Sequence, residues 1–417
     1  METHAHTSHY GKNTFRKRIV ENRMMKRVAE YKADGLYPYY KSQTPTGLNS
    51  IRCQGRDLVQ IGSSNYLGLA QDPRIREAVV GALKTYGTSC TSSRLLSGTR
   101  SLHLELEGEL ADFFGTEAAL AFPTGYLANV GAIPALVGRH DLVAFDAEVH
   151  ACLIDGMKLS GADGVRFRHN DVGDLEEKLS RSQAQRKMIL IDSLYSMNGD
   201  LAPLDQIVPV ADAQGAWVFL DDAHGIGAMG PGGRGVAHYY GLQDRIPVIM
   251  GVFSKSFAST GGFIAGSAEL IEYLKFGARS FLYSNAIAPA QAAAALAALR
   301  ILRSEPDRAS RAVENGERAR TFLRALGWRC GGDGTHMVSI LIGDDDTTLK
   351  TARILEEEGV WVGPAVSPGV PMGKSLLRTC FPPTLSDEEF RLAINAFETA
   401  SKKVPQALFL QGADHEG

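Results

Sequence analysis

The segment Val248-Ile-Met-Gly-Val-Phe-Ser-Lys-Ser-Phe-Ala-Ser-Thr-Gly-Gly-Phe263 decides how the surrounding chain folds. Pro247 to Val252 is an apolar run of the kind that forms a buried strand in a parallel sheet. It stops at Phe253-Ser254-Lys255-Ser256, and small residues then lead to Gly261-Gly262. A lysine between two apolar segments is costly unless it is paired, neutralised or used. Open α/β sheets bind ligands beyond the carboxyl ends of their strands, which is where Lys255 falls. Burial lowers a lysine's pKa and makes it a nucleophile toward carbonyls. An ion-paired or snorkelling lysine fits the same pattern, so this stretch alone leaves both readings open.

A second strand end bears on the choice. Trp217-Val-Phe-Leu-Asp221-Asp222-Ala223-His224-Gly225 is another apolar run, and it ends in carboxylates and a histidine. A carboxylate at one strand end and a lysine at a neighbouring one fit pyridoxal phosphate. The lysine forms a Schiff base with the aldehyde, and the aspartate keeps the pyridine nitrogen protonated. The pair is far more specific than either half.

Composition narrows the class. A chain of 417 residues is long enough for two domains and a large core. A formal charge of −3 argues against nucleic acid or an anionic membrane as the main partner. Lys12 to Lys32 is locally basic, but Glu21 and Glu30 interrupt it, and it reads as a solvated helix face. Cys53, Cys90, Cys152, Cys330 and Cys380 show no metal spacing and suit reduced thiols in the cytoplasm. Met1 to Tyr10 lacks the apolar core of a signal peptide, and His4, His6 and His9 read as a tail rather than a metal site. The alanine-rich run Ile287 to Leu302 is too short to span a bilayer and reads as a packed helix, so no transmembrane segment is expected.

In chain order, residues 1–60 form an arm with a helix over Arg16 to Tyr31 followed by extended chain. Residues 61–304 form the larger unit. There Asp72-Pro73 opens a helix to Lys84, and Leu102 to Phe114 has helical periodicity. Strands are predicted at 118–122, 142–145, 165–168, 188–191, 217–220, 248–252 and 263–265. Helical or polar stretches separate most of them, so the class is α/β with a mostly parallel central sheet. Residues 305–417 read as a smaller C-terminal α+β domain with a polar tail. Its helices fall at 314–326, 347–358 and from Asp387, and its strands at 337–342, 360–362 and 375–380.

Other stretches suit a cofactor cleft. Phe122-Pro-Thr-Gly125-Tyr126 joins a strand to a helix, whose amides and positive end suit a phosphate, although such turns are common. His150 follows a strand and can stack on a ring, although lone histidines are more often structural. Ser196 follows another strand and is within plausible reach of a phenolate oxygen. Gly369-Val-Pro-Met-Gly-Lys-Ser375 imitates a phosphate-binding loop but has three residues between its glycines instead of four, and reads as a loop before a strand.

The motifs Asn65-Tyr-Leu-Gly, Ser93-Arg-Leu-Leu-Ser-Gly-Thr99, Thr124-Gly-Tyr, Arg168-His-Asn170, Tyr195-Ser-Met197, Asp221-Asp-Ala-His224, Phe253-Ser-Lys-Ser256 and Tyr283-Ser-Asn285 occur in order. In these the chain resembles the α-oxoamine synthases over about residues 47–400. These are fold-type-I pyridoxal-phosphate enzymes that include serine palmitoyltransferase, 8-amino-7-oxononanoate synthase and 2-amino-3-ketobutyrate ligase.

The resemblance implies that Lys255 carries the Schiff base, Asp221 partners the pyridine nitrogen and His150 stacks on the ring. It implies that His224 and Ser196 touch the phenolate side. Gly125, Tyr126 and Ser254 would hold the phosphate, joined by Ser284 from the partner subunit of a homodimer. Arg378 would grip the amino acid's carboxylate, and Asn65 would line the substrate pocket. The implied reaction is a decarboxylative Claisen-type condensation. Freed Lys255 takes the α-proton of a small amino acid, serine before glycine or alanine. The carbanion attacks an acyl-CoA or acyl-carrier-protein thioester, and loss of carbon dioxide leaves an α-amino ketone.

Val252, Ser89, Ser92, Ala286 and the histidine-free Phe381-Pro-Pro-Thr-Leu385 depart from the family pattern and bear on substrate choice. An aminotransferase or aldolase would keep Asp221 and Lys255. A non-catalytic partner subunit would lack the lysine.

Overall fold

The computed structural model describes residues 7–404; His4, His6 and most of the polar C-terminal tail lie outside the described residues. A seven-stranded sheet forms the centre. Across it the strands run Ala118–Phe122, Gly262–Gly266, Val248–Val252, Ala216–Asp221, Lys187–Asp192, Leu142–Asp146 and Asp163–Phe167. The last five are mutually parallel, while Gly262–Gly266 runs antiparallel to both its neighbours. All seven coincide with the strands read from the apolar runs, to within two residues at either end. The single reversal follows from the short hairpin after Val252, which leaves no length for a crossover helix.

The sheet is buried on both faces. One layer includes Leu106, Phe114, Ile191 and Phe263, and the other Phe122, Ile133, Leu190 and Met250. The alanine-rich helix Pro289–Ser304 packs against Pro73–Tyr86 and Ser101–Phe114, where its small side chains permit close approach. Asp72 Oδ1 caps Pro73–Tyr86 by accepting from the Arg74 amide at 2.9 Å.

The arm differs from the single helix expected over Arg16 to Tyr31. Two helices, Thr7–Val20 and Arg23–Ala33, meet at Asn22, whose Oδ1 accepts from the Met24 amide at 2.9 Å. Asparagine competes for backbone donors in this way and starts a new helix in preference to continuing an old one. The extended chain beyond it pairs as Gln43–Pro45, Ser50–Cys53 and Arg56–Gln60, and Val360–Trp361 joins in parallel beside Arg56–Gln60. A third, antiparallel sheet holds Arg329–Gly331, Met337–Gly343, Ser375–Cys380 and Gly363–Ala365. Helices Arg308–Ala325, Asp345–Glu357 and Asp387–Lys403 accompany it. Its core joins Leu377, Phe390 and Phe397 to Val59 and Ile61. Gly369 to Lys374 is a loop before the strand Ser375–Cys380, as its spacing implied.

Candidate active site

Three neighbouring parallel strands, Leu142–Asp146, Lys187–Asp192 and Ala216–Asp221, each end in aspartate. The apolar run stays in the core, and the carboxylate emerges where the chain leaves the sheet. A cleft of about 360 Å³ opens on this edge, lined among others by Lys255, Asp221, His150, His224, Gly125 and Ser254. Tyr126 and Asp192 line it too. A larger groove of about 520 Å³ lies between the helices Pro73–Tyr86, Ser101–Phe114 and Pro289–Ser304. Its Arg74 and Arg300 are ion-paired with Glu305, Glu105 and Glu109, so the chemistry belongs to the smaller cleft.

Lys255 sits in the hairpin joining Val248–Val252 to Gly262–Gly266. Phe253 fixes the base of this turn, with ring centroids 5.8 Å from Phe257 and 5.4 Å from Phe263. Solvent reaches the lysine through the cleft mouth, but protein surrounds it on the other sides. Burial, opposed by Asp221 and aided by the charge of Arg378, lowers its ammonium from 10.5 to about 8. Roughly a tenth is then neutral at pH 7, against well under a thousandth for an ordinary lysine.

Asp221 is 4% exposed and accepts from Asn129 Nδ2 at 2.7 Å and the Ala223 amide at 3.0 Å. Asn129 also approaches Cys152 Sγ at 3.0 Å, and that sulfur lies 2.8 Å from His150 Nδ1. His150 caps the helix Ala151–Ser160 and is exposed over the cleft. Burial, and then the charge of Asp221, push the Asp192 carboxyl well above the usual range. His224 is buried, with Nδ1 2.7 Å from the Tyr66 hydroxyl. Burial and the charges of Lys255 and Arg378 hold it well below the ordinary histidine range, so it is neutral.

The helix Gly125–Leu136 starts beside Lys255, with Thr124 Oγ1 accepting from the Leu127 amide at 3.1 Å. A Cβ on Gly125 would stand 2.4 Å from Val252 Cγ1, so only glycine lets the helix start approach the strand. Tyr126 donates its hydroxyl to Asp155, which turns the side chain aside and leaves the backbone amides for an anion.

The remaining expected site residues lie around this centre. Arg378 donates to Ser64 Oγ at 2.9 Å, and its charge is felt at both Lys255 and His224. Asn65 Oδ1 accepts from the Ala70 amide at 3.1 Å, which fixes the turn after Ile61. Ser196 lines a neighbouring pocket of about 160 Å³ with Glu148, Val370 and Lys374, apart from the Lys255 cleft. Ser284 lies outside the cleft lining, next to Tyr283, which is 78% exposed. Sequence reasoning missed Asn129, Cys152, Asp192 and the role of Tyr66. An amide inside the apolar run Gly125 to Leu136 and a thiol two residues after His150 were the available signals.

The fold and site together define a pyridoxal-phosphate enzyme of fold type I. The chain belongs to the aminotransferase class I and II family, which matches over residues 56–397. A serine palmitoyltransferase of Sphingobacterium spiritivorum is 41% identical over 352 residues, 84% of this chain and 88% of that one. An 8-amino-7-oxononanoate synthase of Thermosipho melanesiensis is 37% identical over 381 residues, 91% of this chain and 97% of that one. A solved serine palmitoyltransferase from S. paucimobilis, with a bound PLP–myriocin aldimine, superposes with a TM-score of 0.90 at 31% identity. That match covers 93% of this chain and 98% of the other.

Pyridoxal 5′-phosphate is accordingly the cofactor. The residues present fit it: a cradle at Gly125 that a Cβ would fill, a buried carboxylate at Asp221 and a lysine of lowered pKa.

Proposed function

We propose that this chain is an α-oxoamine synthase that joins a small amino acid, serine first, to an acyl thioester with loss of carbon dioxide. The observation that carries the reading is Lys255 of lowered pKa sharing one cleft with buried Asp221, and close enough to Arg378 to feel its charge. The relatives named serine palmitoyltransferase, 41% and 36% identical, support serine as the amino acid. When bound, the cofactor supplies an aldehyde for Lys255 and a protonated ring that draws electrons from the substrate's α-carbon.

The chain's own groups do the rest. Asp221, oriented by Asn129, keeps the proton on the pyridine nitrogen. The Gly125 and Tyr126 amides and Ser254 hold the phosphate, and His150 covers the ring face. Arg378 presents a planar guanidinium fork to the amino acid's carboxylate. Lys255 Nζ, partly neutral near pH 7, takes the α-proton and later returns one. Asn65 lines the substrate pocket, and His224 and Ser196 serve the phenolate side of the cofactor.

The acyl donor is a CoA or carrier-protein thioester. The protein works as a cytoplasmic homodimer in which the partner's Ser284 completes the phosphate site. Leu95, Leu96 and Tyr283, which are 53%, 80% and 78% exposed, support a buried interface there. Among the described residues no helix is long and apolar enough to cross a membrane.

A second reading, 8-amino-7-oxononanoate synthase, is supported by the 37% identical relative. Mass spectrometry separates the two. The protein loaded with cofactor is offered serine, alanine or glycine with short and long acyl-CoAs. A serine-derived amino ketone lacking the mass of carbon dioxide is expected; condensation with alanine only refutes serine as the substrate. Lys255→Ala is expected to abolish turnover while leaving the fold intact, and normal activity in that variant would refute the mechanism.

A further inference from the structure

Asn129 stands on the helix Gly125–Leu136 and Cys152 on the helix Ala151–Ser160, and both are buried, at 0% and 3% exposed. The helices lie close because Gly156, one turn beyond Cys152 on the same face, has no side chain. A Cβ there would stand 2.8 Å from Ile133 Cδ1 and 3.2 Å from Asn129 O. The Asn129 amide gives one N–H to Asp221 Oδ2 at 2.7 Å and the other to Cys152 Sγ at 3.0 Å. Its buried Oδ1 has no hydrogen-bond partner, so these two bonds alone hold the amide.

The other side of the sulfur meets His150. The Cys152 amide donates to His150 Nδ1 at 3.3 Å, so that nitrogen carries no hydrogen of its own. The 2.8 Å contact between Nδ1 and Sγ is therefore one in which the thiol donates. Burial, and then the charge of Asp221, push the thiol up to about 12, so it keeps the hydrogen it gives. The direction of each bond is fixed: the amide nitrogen only donates, and the sulfur accepts on one side and donates on the other.

We propose that Cys152 is a positioning residue for the cofactor. Its thiol ties the amide that steadies Asp221 to the imidazole of His150. The group for the pyridine nitrogen and the group for the ring face are thereby held in one arrangement. An alkyl side chain of similar size would fill the same space but leave one Asn129 N–H buried without a partner, and the amide free to turn away from Asp221.

The inference rests on the places proposed for Asp221 and His150 about the cofactor, and not on the choice of amino acid or acyl donor. Cys152→Ser keeps a donor and an acceptor at this point, Cys152→Ala removes both, and Cys152→Val removes both while filling the space. Each variant is titrated with pyridoxal phosphate by absorbance, and the visible band of the bound cofactor is then followed against pH. Thermal melting of the cofactor-free proteins controls for global damage. Cys152→Ala and Cys152→Val are expected to lose affinity on the order of fivefold, the scale of one hydrogen bond, and Cys152→Ser to keep most of it. A pyridine nitrogen less firmly protonated draws less charge from the nitrogen of Lys255, so the pH midpoint of the band is expected to rise in Cys152→Ala and Cys152→Val and to stay put in Cys152→Ser. Packing alone would instead separate valine from alanine.

Cys152→Val matching the unsubstituted protein, or Cys152→Ser matching Cys152→Ala, overturns the proposal. In an Asn129→Ala background, Cys152→Ala is expected to cost less than it does alone, because part of its effect runs through that amide. An equal cost in both backgrounds overturns the link. Asp221→Ala checks the site itself. Unchanged cofactor binding in that variant would sink the site reading and the proposal together, whereas weakened binding there with normal Cys152 variants would sink the proposal alone.

Discussion

Replacing Gly125 with alanine places one methyl group where the strand Ala118–Phe122 gives way to the helix Gly125–Leu136. The new carbon would stand 2.4 Å from Val252 Cγ1 and 2.9 Å from Met250 Cε. The methionine terminus can swing away, but valine is stiff about χ1 and sits in the middle of the sheet. The helix start cannot simply retreat, because a Cβ at Gly262 would already lie 2.6 Å from Gly125 Cα, so that side is close-packed too. Overpacking of this kind costs about 1–3 kcal/mol. Alanine is a good helix former, so the helix survives and the strain falls on the geometry of its first amides. If most of the cost is borne when those amides close on the phosphate, cofactor affinity falls about 5- to 150-fold.

The measurement is a pyridoxal-phosphate titration followed by absorbance, with thermal melting of the cofactor-free protein as a control for global damage. The decisive comparison is the double variant Gly125→Ala with Val252→Ala, which removes the clashing methyl. Recovery of most of the lost affinity is expected, and contacting residues should couple in this way. Unchanged affinity in Gly125→Ala, or no recovery in the double variant, would refute the claim that the Val252 contact makes glycine necessary at the phosphate cradle.

Two further outcomes follow from the charge arrangement. In cofactor-free protein, Lys255 should be labelled by an amine-reactive reagent with a rate that rises with pH through a midpoint of about 8, because its neutral form appears there and not near 10.5; a midpoint at the ordinary lysine value would contradict the burial argument. His169 is a second case. Burial disfavours its charge, but its bonds to Asp146 at 2.9 Å and Asp200 at 2.7 Å outweigh this and raise it from 6.5 to about 10. A raised folded-state pKa stabilises fully below pH 6.5, and that stability is lost as pH rises through about 10. Denaturant melts of His169→Gln should therefore lose this slope between those limits, and an unaltered pH profile would count against the charged pair.

The sheet was legible because its strands are buried on both faces, so each appears as a continuous apolar run with a polar break at its end. Lys255, Asp221 and His150 stand at such breaks, and so they could be named before any geometry was known. Asn129 and Cys152 could not. They sit inside helices, and only packing of Gly125–Leu136 beside Ala151–Ser160 brings them between Asp221 and His150. Asp192 was visible at a strand end, but its raised pKa arises from burial and then from the charge of Asp221, which spacing does not reveal. The break in the arm at Asn22 was readable as a capping residue, but the flanking helical periodicity hid it.

The division between cofactor chemistry and substrate choice has a structural origin. The cofactor residues hang on one rigid sheet edge, whereas Asn65 and Arg378 are more than three hundred positions apart. They meet because the segment Ile61 to Asn65 lies along the strand Ser375–Cys380. The Cys380 amide donates to Ile61 O at 2.8 Å, and Arg378 donates to Ser64 Oγ at 2.9 Å. The same segment anchors Ile61 in the core with Leu377 and Phe381. Substitutions in this second core would therefore tilt Asn65 and Arg378, the residues proposed to face the substrate, without touching Lys255 or Asp221. They should change which amino acid is taken while the absorption of the bound cofactor stays the same. On the proposed reading, motifs at the sheet edge define the reaction class, while the choice of amino acid depends on packing between distant parts of the chain.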